Sequence, residues 1–242
     1  MALEFKQDGD YGSTVRVNDS EDFSPGTGLF SVCFWFKTSF TLNLEKILWR
    51  NYGSATANLV QVTIWSDEKI RGFFRDGNNN SISSFTTNTV NNGVWRHIAW
   101  VRNPATRGTL FLDGAEDTHG DNVSINNINV SDGEMVVMGG RYEADYSIRG
   151  ELTDIRVYKR ALSAAEIKTI YNARGSDNIV NDLKARWLLD ELPDGSTADY
   201  SANFVKDVSG NGHHGQIVKQ AGCSDLVYRA APIKLVKPKI VL

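Results

Sequence analysis

Short runs in which apolar and polar residues alternate, each closed by a cluster of Gly, Asn or Asp, recur along this chain up to Tyr158. Alternation of period two sends successive side chains to opposite faces, so such a run suits a half-buried strand and gives a helix no coherent stripe. In Leu29 to Thr38, Phe30, Val32, Phe34 and Phe36 share one face while Ser31, Cys33, Trp35 and Lys37 share the other. That strand has one apolar side and one mixed side. Similar runs are Leu59 to Trp65, Lys69 to Arg75, Trp95 to Arg102, Thr109 to Leu112, Met135 to Met138 and Glu151 to Tyr158. The stretches between them, such as NYGSATAN, DGNNNS and NNINVSDGE, are polar and rich in turn residues. Asp113-Gly114, following TLFL, is a two-residue hairpin signal, because both turn positions need φ above zero. Many short strands separated by turns predict an all-β fold, an antiparallel two-sheet sandwich.

One helix is predicted, near 163–174. Ser163 is a good N-cap, Glu166 completes a capping box three residues on, and Gly175 stops the helix at C′. Ile167, Ile170 and Tyr171 form a narrow apolar stripe that suits sealing one edge or end of a sandwich.

With 242 residues, 41% of them hydrophobic, the chain can bury a full core without metal or disulfide staples. The formal net charge of -3 provides no basic field for a phosphate backbone, so nucleic acid is not an expected partner. No stretch approaches the roughly 18 apolar residues of a membrane span, so no membrane partner is expected. The opening MALEFKQDGD carries neither a basic nor an apolar signal region, which leads us to expect synthesis in a cytoplasm without export. The two cysteines, Cys33 and Cys223, encode no disulfide framework and are expected to be free thiols.

WRHIAWVRN, then LFLDG, then GG, then GELTDIRVYKRALSAAEIKTIYNARG resembles the second half of laminin-G-like, concanavalin A-like jelly rolls, over Trp95 to Gly175. LEFKQDGDYGSTVRV followed by FSVCFWFKT is similar to the early strands of that family. The family's usual first element, a W-x-x-D-E strand leading to D-x-S-G-N-G-x-x-G, instead follows the helix here, as Trp187 to Glu191 and Asp207 to Gly215. The resemblance therefore implies a circularly permuted jelly roll spanning 1–230, in which 181–218 supply the usual first strands; the alternative is a second, truncated module. Its narrower implication, carried by the late D-x-S-G-N-G segment, is a virion protein of a tailed bacteriophage.

Concanavalin A-like folds also host glycosidases, whose β-glucanase signature E-x-D-x-x-E places carboxylates on one strand face. No such triplet occurs: Glu143-Ala144-Asp145 lacks the third carboxylate, and Asp190-Glu191 with Asp194 is wrongly spaced. No catalytic residue is assigned, and the chain is read as a non-enzyme. His97, His119, His213 and His214 stand in no zinc or triad spacing, and His97 reads as a packed strand residue with a hydrogen-bond partner.

Two constellations remain. Asp207-Val-Ser209-Gly210-Asn211-Gly212 reads either as a glycine-stabilised turn or as a Ca²⁺ loop of short oxygen ligands. The resemblance adds Asp154 on the last family strand as a third calcium ligand beside Asp207 and Asn211. The loop holding Tyr142, Glu143, Asp145 and Tyr146, joined by Tyr52 of the NYG loop, offers aromatic platforms beside carboxylates, as sugar sites do. The expected function is a non-catalytic virion structural or adhesion protein, a capsid decoration or tail component that binds the particle and a host polysaccharide. The alternative is a bacterial carbohydrate-binding lectin-like module, found outside the cell. Finally, 231–242, APIKLVKPKIVL, reads as an extended arm for copies of the chain or other virion proteins, because Pro232 and Pro238 disfavour helix and central strand.

Overall fold

The computed structural model describes residues 1–8, 11–18, 20–40, 45–52, 58–103, 107–119, 128–131, 135–140, 146–202 and 204–231. In chain order the strands are β1 (Ala2–Phe5), β2 (Gln7–Asp8), β3 (Tyr11–Gly12), β4 (Thr14–Asn18), β5 (Phe30–Lys37), β6 (Lys46–Tyr52), β7 (Leu59–Ile64), β8 (Ile70–Arg75) and β9 (Ser81–Phe85). They continue with β10 (Arg96–Asn103), β11 (Arg107–Leu112), β12 (Ala115–Glu116), β13 (Met135–Met138), β14 (Gly150–Tyr158), β15 (Leu183–Trp187), β16 (Gly215–Val218) and β17 (Val227–Arg229). One α-helix, α1 (Ala164–Ala173), separates β14 from β15.

Two antiparallel sheets form a sandwich, as the alternating runs predict. The first has eight strands in the order β12-β11-β10-β5-β14-β1-β17, with β15 as a second partner of β14. The second has seven, in the order β16-β4-β13-β6-β7-β8-β9. The apolar face of β5 meets Val60, Val62 and Ile64 of β7 in a core that also buries Trp49, Trp100 and Trp187. Each fully buried side chain of this size contributes about 1.5–3 kcal/mol. Trp100 stacks on Phe74 at 5.2 Å, and its ring fills the space that a Cβ on Gly72 or Gly108 would need.

β14 is long enough to have two partners on one side. β1 pairs with Gly150 to Leu152, β15 pairs with Ile155 to Tyr158, and a bulge lies between, where Asp154 adopts φ 49°. The late strands spread over both sheets: β15 on β14, β17 on β1 and β16 on β4. The capping box of α1 is present, with Ser163 as N-cap, and the helix ends at Arg174 in the left-handed region. The helix reaches edge strand β12, but its stripe covers more than that edge. Ile167 and Ile170 pack on the outer face of the eight-stranded sheet, against Cys33, Ala99, Val101, Phe111 and Tyr158, because those outward positions are apolar too. Cys33 and Cys223 are buried and form no disulfide, and burial pushes the Cys33 thiol up to about 12.

Candidate functional site

The period-two pattern that buries Val60, Val62, Ile64, Ile70 and Phe74 turns Leu59, Gln61, Thr63, Arg71, Phe73 and Arg75 to the outer face of the seven-stranded sheet. Glu45, just before β6, organises this face. Its Oε1 accepts from Thr63 Oγ1 at 2.8 Å, Gln61 Nε2 at 3.1 Å and Trp65 Nε1 at 3.1 Å, and lies 3.6 Å from Arg71 Nη1. Arg71 donates through Nε to Ser83 Oγ at 2.8 Å, and its guanidinium lies 4.1 Å from the Phe73 ring centre and 4.9 Å from that of Trp65. Burial lowers the Arg71 pKa and Glu45 opposes it, but a guanidinium remains charged. A groove of about 240 Å³ on this face is lined by Glu45, Gln61, Arg71 and Phe73 together with Ile47, Arg50, Leu59, Arg75 and Tyr146. Chemically this is a carboxylate and a guanidinium held in place by neighbouring polar groups, with the rings of Phe73 and Tyr146 in the same lining.

Tyr146, expected from the sequence, belongs to this groove, and its carbonyl accepts from Ile47 N at 2.9 Å. Tyr142, Glu143 and Asp145 lie outside the described residues, as does the side chain of Tyr52, whose backbone pairs with groove-lining Leu59. Glu45, Gln61, Arg71 and Phe73 were missed. Their alternation was visible, but nothing local says that the outer face of this sheet, rather than the other, is hollowed.

The calcium expectation does not fit. Asp207 Oδ1 accepts from the N–H groups of Arg186 at 3.0 Å and Ser209 at 2.9 Å, and Oδ2 from Ser209 Oγ at 2.9 Å and His213 N at 3.0 Å. Four donors occupy four lone-pair directions. Asn211 directs Nδ2 to the carbonyls of Leu183 and Lys184, both at 3.0 Å. Asp154 is fully buried between cations, 2.7 Å from both Arg156 Nη2 and Arg186 Nε. Burial raises its pKa, yet Arg156 and Arg186 hold it far below the usual carboxylate range. Two guanidiniums and a saturated turn leave no place for a divalent cation, and the turn reading of Asp207 is the one that matches. Among the described residues no group of three His, Cys, Asp or Glu side chains could hold a metal.

His97 packs against the rings of Trp35 at 5.2 Å and Tyr171 at 6.2 Å, which stack on each other at 5.4 Å, but its Nδ1 has no partner, contrary to expectation. Burial holds its pKa down at about 3, so it stays neutral. His213 Nε2 lies 3.0 Å from Asp22 Oδ2, and His214 Nδ1 accepts from Asp207 N at 3.1 Å. One pair of carboxylates that sequence spacing could not show, Glu4 and Glu151, stands in register across β1 and β14 beside a cleft of about 530 Å³. Each is ion-paired at 2.7 Å, Glu4 with Arg229 and Glu151 with Lys37.

Three of the many solved structures that match illustrate the shared fold. A protein from Bacteroides ovatus whose name proposes carbohydrate binding is 14% identical with a TM-score of 0.65, over 97% of this chain and 61% of its own. The heptameric SAP-like pentraxin of Limulus polyphemus is 18% identical with a TM-score of 0.55, over 71% of this chain and 82% of its own. The binding domain of Paraclostridial Mosquitocidal Protein 1 is 18% identical with a TM-score of 0.54, over 73% of this chain and 47% of its own. At such identities the likeness concerns the fold. No curated protein matches the sequence significantly. A laminin-G family described as the concanavalin A-like lectin/glucanases superfamily matches residues 8–168, more than half of the chain. With its two-sheet sandwich and capped helix, this chain belongs to that superfamily.

Proposed function

We propose that the chain is a non-catalytic carbohydrate-binding module that takes its ligand in the groove on the outer face of the seven-stranded sheet. One observation carries the reading: Glu45, itself held by Gln61, Thr63 and Trp65, fixes Arg71 in a groove that the rings of Phe73 and Tyr146 also line, so a carboxylate, a guanidinium and two rings share one groove. Sugars are recognised by such fixed polar groups beside aromatic surface. The Bacteroides ovatus relative of similar fold, named for carbohydrate binding, supports it. A non-catalytic role is supported by the sequence, which lacks the E-x-D-x-x-E triplet that places acid and nucleophile on one strand face.

The test is calorimetric titration with a panel of oligosaccharides, guided by a glycan array. Tyr146→Ala and Arg71→Gln should each weaken binding by about tenfold or more, because a hydrogen bond to a charged group contributes about 1.5–3 kcal/mol. Binding unchanged in both variants, or no glycan bound by the unaltered chain, would refute the site. The virion setting belongs to the same proposal and is supported by the Asp207–Gly215 segment placed after the helix. Mass spectrometry of purified particles tests it separately.

A further inference from the structure

Among the described residues four large apolar side chains are well exposed, and two of them, Val180 (56%) and Val208 (44%), line one cleft. The cleft holds about 520 Å³ between the segment leaving α1 and β15, with Leu183 and Leu188 on its wall. Its charged residues are already committed: Asp177 to Arg156 at 2.7 Å, and Arg186 to Asp154 at 2.7 Å. An apolar cleft whose charges are paired suits an apolar peptide better than an ion or a sugar.

The register shows which way the chain leaves β17. β17 runs antiparallel to β1 with Arg229 opposite Ala2. Thr153 Oγ1 lies within hydrogen-bond distance of two carbonyls, Met1 O at 2.9 Å and Leu188 O at 2.7 Å, so β1 and β15 follow one another along the side of β14. The chain leaving Arg229 therefore heads past Met1 toward the flank of β15 where Asp207 bridges Trp187 and Val208 N donates to Arg186 O at 2.8 Å. Three residues of strand, roughly 10 Å, separate that exit from the lip of the cleft.

Residues 232–242 follow, outside the described residues, and can span up to roughly 36 Å when extended. They carry Ile233, Leu235, Val236, Ile240, Val241 and Leu242 between three lysines. Pro232 and Pro238 favour extended backbone. Asp194 Oδ1 accepts from Ala230 N at 3.0 Å, so a carboxylate stands where the segment with the lysines begins.

We propose that residues 232–242 dock into this cleft of their own molecule and cover Val180 and Val208. Trypsin reads the docking directly, since it cuts after Lys234 and Lys239, and cleavage of a tethered segment follows its undocked population. In the unaltered chain cleavage should be slow and independent of protein concentration. Val180→Asp and Val208→Asp, each at an exposed position and each checked by its melting curve, should speed it about tenfold. The milder Val208→Ser, with a smaller acceleration expected, serves if an aspartate disturbs the fold. Equal rates in all forms would overturn the proposal, and so would protection that grows with concentration, which would assign the segment to a second copy.

Discussion

Asp207 shows at the scale of one residue how a metal-like motif can be a turn. Its carboxylate stands in for four missing partners, three backbone N–H groups and one hydroxyl. Asp207→Ala is therefore expected to cost about 3 kcal/mol by orphaning those donors, read from denaturant melts. Calcium or a chelator should leave the melting temperature of the unaltered chain where it is, whereas a bound ion would raise it. This turn was legible because its bonds are short in sequence: Asp207 reaches Ser209 and His213, and Gly210 and Gly212 supply positive φ. The role of Asp154 was not. Its partners include Arg186, 32 residues on, and Arg156 is held in turn by Asp177, 21 residues on. No local rule pairs such residues.

Among elements, those whose pattern is set by their own neighbours were read well. β5, β7, β8 and β10 alternate cleanly and appear where the sequence places them. β6 and β9 were overlooked for physical reasons. A bulge between Ile47 and Trp49 breaks the alternation of β6, leaving Ile47, Leu48 and Trp49 all buried. β9 carries little apolar surface, and its inward Ser84 donates to Gly108 O at 2.8 Å instead. The helix was legible down to its cap, and the cap has a titratable part. Arg160, hydrogen-bonded through both Nη atoms, holds the Glu166 carboxyl down at about 2 against burial, with help from Ser163. A folded-state value depressed from 4.5 means that this carboxylate stabilises the fold fully above about pH 4.5 and loses that contribution as pH falls toward 2. Glu166→Gln should accordingly cost about 1 kcal/mol at pH 7, and the gap to the unaltered chain should close by pH 2. A gap that stays constant across that window would mean that the charge plays no part.

At the scale of the whole molecule, the order of elements matters more than their kind. We propose that the chain is one circularly permuted jelly roll, and that the late segment is part of the same cooperative unit. β15, β16 and β17 each pair with a strand that begins before residue 160, in both sheets. They bring Trp187, Ile217 and Tyr228 into the common core, where Trp187 lies 5.8 Å from Phe23. A chain shortened to end at Gly175 would expose one side of β1, of β4 and of the second half of β14 as unpaired edges. It would also remove Asp177 and Arg186, leaving Asp154 and Arg156 to each other in the interior. Stripping partners from a buried ion cluster costs about 3–5 kcal/mol on its own, a large part of the 5–15 kcal/mol that a domain has in total. Losing the apolar burial as well, the shortened chain should show no cooperative thermal transition and should bind a hydrophobic dye, as a loosely packed state does. A sharp melt with matching calorimetric and van't Hoff enthalpies would instead mean that residues 1–175 fold alone and that the segment beyond them is a separate module.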